Sequence, residues 1–236
     1  MSGWKHSSTK TILAGVVSLK SRLYSQNQFL YISIGSGTVF IKKILGSECI
    51  MQVQNVSFKA NYLHSIRLEK VNSKNTQKAA LVELDPKSEL DNYSIQQIIY
   101  DWGGINSYSY DIAYNMGQIL CELNDESMPT PRFFAITEQR SNFNKLVPEN
   151  ILALAETTSM KGSVINIDFL ETNKEQAYNA KNAKFQHIGT TMLDNLKTLF
   201  LGKTLELNAP DESVSFYIKN GFVKKSGNFN RLMFKA

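Results

Sequence analysis

Apolar and polar positions along this chain change their period several times. Ile12, Val16, Leu19 and Leu23 recur at helical spacing behind Lys5 and Lys10, which predicts a short basic amphipathic helix. The period then falls to two. Phe29 to Ile34 and Thr38 to Ile41 are rich in β-branched and aromatic residues, with Gly35-Ser36-Gly37 between them as a three-residue hairpin loop. Cys49 to Val56 alternates, and so does Ile66 to Glu69. Residues 25–72 therefore predict a small antiparallel meander with one wet face. Asn72 to Lys78 holds no apolar residue. It marks the expected boundary between a module at 1–75, a basic helix plus meander of unknown role, and a larger domain at 76–236.

Beyond the boundary the pattern predicts a strand at Ala79 to Leu84. Helices follow at Ser94 to Trp102, stopped by Gly103-Gly104, and at Tyr110 to Leu123. Three strands come next, at Phe133 to Thr137, Ile151 to Glu156 and Val164 to Leu170. A polar loop runs from Glu171 to Lys184. A helix at Thr190 to Leu201 carries Met192, Leu193, Leu196 and Phe200 on one stripe. A strand at Thr204 to Leu207 and a helix at Asp211 to Asn220 lead to Gly221 as a C-terminal stop, then to Phe222-Val223 and Leu232 to Phe234. The fold class this order implies is mixed α/β (α+β). A partly antiparallel central sheet is flanked by helices, with an N-terminal antiparallel β-rich extension.

Composition narrows the reading only a little. The chain has 236 residues, 42% of them hydrophobic and 20% charged, enough for a sizeable core without a staple. Two cysteines, Cys49 and Cys121, exclude a disulfide framework and a Cys-based zinc site. The three histidines, His6, His64 and His187, lack i, i+4 pairing, so no metal is expected. The longest early apolar run is too short to span a membrane and has no cleavage site after it. Cytoplasmic location is the expectation, with an exported effector lacking a cleavable signal as the alternative. Charge does change the picture. Residues 1–70 hold nine Lys or Arg against two acids, a balance of +7 where the whole chain carries +5, so the rest of the chain is slightly acidic at −2. That basic stretch admits a nucleic acid, an acidic partner or a second copy of the chain, or a basic surface with no special ligand.

The sharpest chemical feature is Gln186-His-Ile-Gly-Thr-Thr191 at the start of a helix. Helix N-termini expose unpaired N–H groups with partial positive charge, and a glycine there lets phosphates come close. The turn lacks the ending of a P-loop and the three glycines of a Rossmann turn. The second feature is Ser213-Val-Ser-Phe-Tyr-Ile-Lys-Asn-Gly-Phe222. Together, at this spacing and order, the two resemble the GNAT (general-control-related N-acetyltransferase) superfamily. Phe216-Tyr217 and Gly221-Phe222 fill its second signature. Gln186 and Gly189 fill the phosphate turn, while Thr191 stands where Gly or Ala is usual.

The resemblance implies direct transfer of an acetyl group from acetyl-CoA to a primary amine. The acceptor would be a small amine, a protein amine or aminoacyl-tRNA. It implies that Phe169 and Leu170 offer backbone groups to pantetheine and that Gln186, His187, Ile188, Gly189, Thr190 and Thr191 form the pyrophosphate turn. Asn208, Ser213 and Phe216 would line the donor site, and Tyr217 would protonate the departing thiolate, a task that suits a neutral phenol. The general base would be a carboxylate near the splayed strands. Glu171, Asp168 and Glu156 are candidates. Simple alternation places Glu171 on one face with Ile165, Ile167 and Phe169 and Asp168 on the other, which favours Glu171. The alternative is a GNAT-fold binding protein without turnover.

Overall fold

The computed structural model describes residues 29–34, 37–44, 47–49, 60–121, 129–160, 162–176, 180–225 and 230–236. The chain divides into two compact units, Met1–Val56 and Ser57–Ala236. In the first, β1 (Phe29–Ile34), β2 (Gly37–Ile44) and β3 (Ser47–Cys49) form an antiparallel sheet in the order β1-β2-β3. Ile34 pairs with Gly37, so the expected three-residue loop gives its last residue to the strand. The expected helix around Ile12 to Leu23 lies outside the described residues, as does most of the strand expected from Cys49 to Val56.

Among the described residues, the second unit is built on nine strands in the order β11-β12-β10-β8-β7-β6-β5-β4-β9. Its strands are β4 (Asn61–Lys70), β5 (Thr76–Leu84), β6 (Arg132–Thr137), β7 (Ile151–Ser159), β8 (Val164–Thr172), β9 (Phe185–Gln186), β10 (Thr204–Asn208), β11 (Val223–Lys224) and β12 (Arg231–Lys235). Its helices are α1 (Glu89–Trp102), α2 (Tyr108–Leu120), α3 (Ile188–Leu199) and α4 (Val214–Lys219). Every pairing is antiparallel except β8 with β10. From β5 onward the order strand, two helices, three strands, helix, strand, helix, two strands agrees with the expectation, save for the short edge strand β9. Among the described residues no helix is long and apolar enough to cross a membrane.

The expected boundary at 75/76 is not where the units part. Asn72 to Lys78 is polar because it turns a hairpin at the surface, with Asn72 at φ 55° and Lys70 N–H donating to the Asn75 carbonyl. β4 then pairs with β5 from Glu69↔Thr76 back to Asn61↔Glu83. Ile66 and Leu68 therefore belong to the large core, not to an N-terminal meander.

Period-two patterning splits the sheet between two cores. Leu81, Phe134, Ile136, Ile165 and Ile167 face α3 and α4. Val82, Leu84, Phe133, Ala135 and Leu154 face α1 and α2. Ser88 caps α1, accepting a hydrogen bond from Asp91 N–H, and Gly103 at φ 138° ends it.

Candidate active site

The site begins with a parallel pair that comes apart. β8 and β10 match at Thr204↔Val164, Leu205↔Ile165 and Glu206↔Asn166, and no further. β8 stays zipped to β7 as far as Ala153↔Thr172. Beyond Asn166 the β10-facing edge of β8 has therefore lost its strand partner. A cavity of about 350 Å3 lies there. Asn166, Ile167, Asp168 and Phe169 line it from β8, and Asn208 from β10. Glu156 and Thr158 of β7 and Asn115 of α2 complete the wall.

A bulge decides which side chains arrive. Glu156 pairs with Phe169 but Thr157 pairs with Ile167, so Asp168 is an extra residue in β8. The alternation flips there. Ile167 and Leu170 face the α3–α4 core, whereas Phe169 packs on the α1–α2 core. The expected grouping of Glu171 and Phe169 with Ile165 and Ile167 on one face is thereby overturned.

Three carboxylates stand near the bulge, each in a different setting. Glu156 is 4% exposed, and Asn115 Nδ2 donates to both its oxygens, at 2.9 and 3.1 Å. Burial pushes its carboxyl up to about 8, with a further push from Asp168 and Asp111. Asp168 accepts from Asn166 Nδ2 at 2.5 Å, while its Oδ2 is buried without a hydrogen-bond partner. Burial raises it too, against hydrogen bonds from Thr158 and Asn166. Glu171, the expected base, lies outside the cavity wall. Its Oε2 accepts the Ser109 backbone N–H at 2.5 Å, fastening β8 to the first turn of α2.

The turn expected to hold pyrophosphate opens α3, where a Cβ on Gly189 would lie 3.6 Å from Thr172 at the end of β8. His187 takes a left-handed conformation, φ 61°, and opens α3 without a side-chain cap. Thr191 N–H donates to the His187 carbonyl at 2.8 Å, and the Thr191 hydroxyl donates to the same oxygen at 3.0 Å. The N–H groups of Ile188, Gly189 and Thr190 precede that first helical bond and are the ones an anion can use. Thr191 is committed to the helix and leaves the expected set. Gln186 pairs across to β4, its Nε2 donating to Glu69 at 3.1 Å. Gly189 gives room to a neighbour as well as to a ligand, since a Cβ there would come 3.1 Å from the Phe216 ring.

Tyr217 is 8% exposed, its ring edge-on to Phe216 and Phe222. Burial pushes its phenol up to about 12, with a further push from Tyr108. Tyr108, at the start of α2, leans against Phe169 with ring centroids 5.6 Å apart. Tyr217 itself is outside the cavity wall. Ser213 makes no capping hydrogen bond at α4. Among the described residues no group of three or more metal-ligating side chains is assembled.

Asn115 and Asn166 escaped the sequence reading. For Asn115 the signal was present: a polar residue beside Ile112, Met116 and Ile119 on the apolar side of α2. Asn166 carried none, since its partner is placed by the bulge.

No protein-family model matches the chain, and no curated protein matches it. Solved structures do. The PaiA N-acetyltransferase of Thermoplasma acidophilum in complex with coenzyme A is 16% identical, over 65% of this chain and 96% of its own, with a TM-score of 0.37. AtaTR bound with acetyl-CoA is 15% identical, over 66% and 92%, at 0.44. The ribosomal-protein-S18-alanine N-acetyltransferase of Escherichia coli is 14% identical, over 66% and 90%, at 0.41.

Proposed function

We propose that this protein is an acetyl-CoA-dependent N-acetyltransferase that moves the acetyl group directly onto an amine. The observation that carries the reading is the opening between β8 and β10, with a helix N-terminus free to take an anion on one side and a buried carboxylate on the other. The N–H groups of Ile188, Gly189 and Thr190 hold the pyrophosphate of the donor. The open edge of β8 beside Phe169 takes the pantetheine arm as an added strand would be taken. Asn208 and Ser213 flank that arm.

Glu156 replaces Glu171 as the base. It accepts a proton from the incoming ammonium, and the neutral nitrogen attacks the thioester carbonyl. The C–S bond breaks, the thiolate receives the Tyr217 proton, the second proton of the nitrogen restores Tyr217 as the amide forms, and Glu156 releases the first to solvent. The sum is ammonium plus thioester going to amide, thiol and one proton. A carboxyl near 8 is well matched to this task at neutral pH. A phenol near 12 is a weaker acid than a thiol of about 8.5, so transfer to the thiolate is drawn forward by the proton that the nitrogen returns to the phenolate. The cytoplasm, where acetyl-CoA is at hand, is the fitting location.

The test is release of coenzyme A thiol from acetyl-CoA across a panel of amines. Amine-dependent release that Glu156→Gln lowers by about 100-fold or more supports the reading. Saturable acetyl-CoA binding with no release on any amine would overturn it and leave a binding protein.

A further inference from the structure

The acceptor side of the opening is acidic, and one of its charges is uncompensated. Among the described residues Glu156 and Asp168 line the cavity, and no Lys, Arg or His does. Asp111 lies close enough to act on Glu156, and Glu171 and Glu212 close enough to act on Tyr108 beside it. Lys174 is the cation felt there, and it acts on Glu171. Among these acids Asp168 differs. Asn166 donates to Oδ1 and Thr158 also eases the carboxyl, while Oδ2 is buried with no hydrogen-bond donor. A buried carboxylate oxygen in that state is costly unless something positive reaches it.

The reacting amine cannot be that cation through the reaction, because its nitrogen must lose its charge before it attacks. Glu156 is placed to take that proton. The charge on Asp168 then still needs a partner, and the remaining wall offers only the amides Asn115, Asn166 and Asn208, the Thr158 hydroxyl and two apolar side chains. Resting on the acetyltransferase reading, we infer that the acceptor is a small aliphatic amine carrying a second positive charge, and that Asp168 holds that second charge while the first amine reacts. A polyanion such as a transfer RNA would meet charge of its own sign at this opening. A volume of about 350 Å3 suits a short diamine.

The experiment compares 1,4-diaminobutane with butylamine, which share chain length and differ in the second charge. Each is titrated calorimetrically into the protein holding coenzyme A, and each is offered as acceptor with acetyl-CoA. The wild type is expected to favour the diamine at least tenfold in Kd and in kcat/KM. Asp168→Asn, which still accepts from Asn166, is expected to bring the two amines within about threefold while leaving acetyl-CoA affinity unchanged and the melting temperature no lower. Equal use of both amines by the wild type overturns the inference, and so does an Asp168→Asn variant that loses both equally. Thiol release that ignores the second charge would sink this inference and leave the acetyltransferase reading standing. Diamine-selective binding with no thiol release on any amine would do the reverse.

Discussion

The base proposed here, Glu156, owes a raised proton affinity and a fixed direction to its burial and one neighbour. Burial lifts its proton affinity, and Asn115 fixes the plane of its carboxylate by reaching both oxygens. The sign follows directly. Below about pH 8 the group holds its proton and cannot accept one, so kcat/KM rises with pH through about 8. Glu156→Gln should remove that rise, leaving only the titration of the acceptor amine at higher pH. A pH–rate profile of both proteins checks it, and an unchanged rise in the variant would exclude Glu156. At Tyr217 the same approach separates packing from chemistry. Phenylalanine keeps the edge-on contacts with Phe216 and Phe222 and removes only the hydroxyl. Tyr217→Phe should lower kcat by about 100-fold or more with acetyl-CoA affinity kept, as steady-state kinetics beside calorimetry will read.

At the scale of elements, the end of β8 holds the start of α2 in place. Glu171 holds the Ser109 N–H at the start of α2. Lys174, just past the strand, lies against Gly103, where an added Cβ would come 2.7 Å from its Nζ. The connection from α1 to α2 is thus gripped at both ends. Gly103→Ala must adopt φ 138° and displace Lys174, so it should destabilise by about 1–3 kcal/mol in urea unfolding. A loss under about 0.5 kcal/mol would mean that the connection is loose.

Much of this level was legible in the sequence. The helical stripes of Ile95, Ile98 and Trp102 and of Met192, Leu193 and Leu196 are indeed buried, because burial of one face is what their spacing records. The bulge at Asp168 was not legible. Period-two reasoning assumes an unbroken ladder, and one inserted residue reverses every face after it. That is why Glu171 was grouped with Ile165 and Ile167 on one face. The hairpin at Asn72 was misread as a boundary because a surface turn and a linker share one polar composition. The turn from Gln186 to Thr191 and the aromatic pair Phe216-Tyr217 stood out because helix-start and aromatic signatures are local.

At the scale of the molecule, buried acids set how stability responds to pH. Burial pushes Asp91, 0% exposed at the start of α1, up to about 7, although it accepts the Asp85 N–H at 2.9 Å. Glu156, Asp168 and Glu171 are raised as well. A carboxyl whose folded pKa is raised binds more protons folded than unfolded. Stability therefore falls as pH rises from the ordinary carboxylate range to the folded value, then stays level. For Asp91 the window runs from about 4 to about 7, with an effect of about 4 kcal/mol. Glu206 works in the opposite sense, held low by Lys225 and Arg231 and losing its contribution as pH falls. The three other acids outweigh it with Asp91, so the melting temperature should fall between pH 5 and pH 8. Asp91→Asn should flatten that fall, which melting curves at several pH values will read. A melting temperature that climbs across this range would contradict the burial of these acids.

The central claim is that acetyl-CoA seats its pyrophosphate on the first turn of α3 and its arm in the opening between β8 and β10. Calorimetric titration of acetyl-CoA into the wild type and Thr190→Glu tests it most directly. A glutamate in the first helical turn favours the helix itself, through its N-terminal dipole, and opposes an incoming phosphate. Saturable binding by the wild type, weakened at least tenfold in a variant that melts no lower, is the predicted result. Equal affinity in the two folded proteins, or no binding by the wild type, would contradict it.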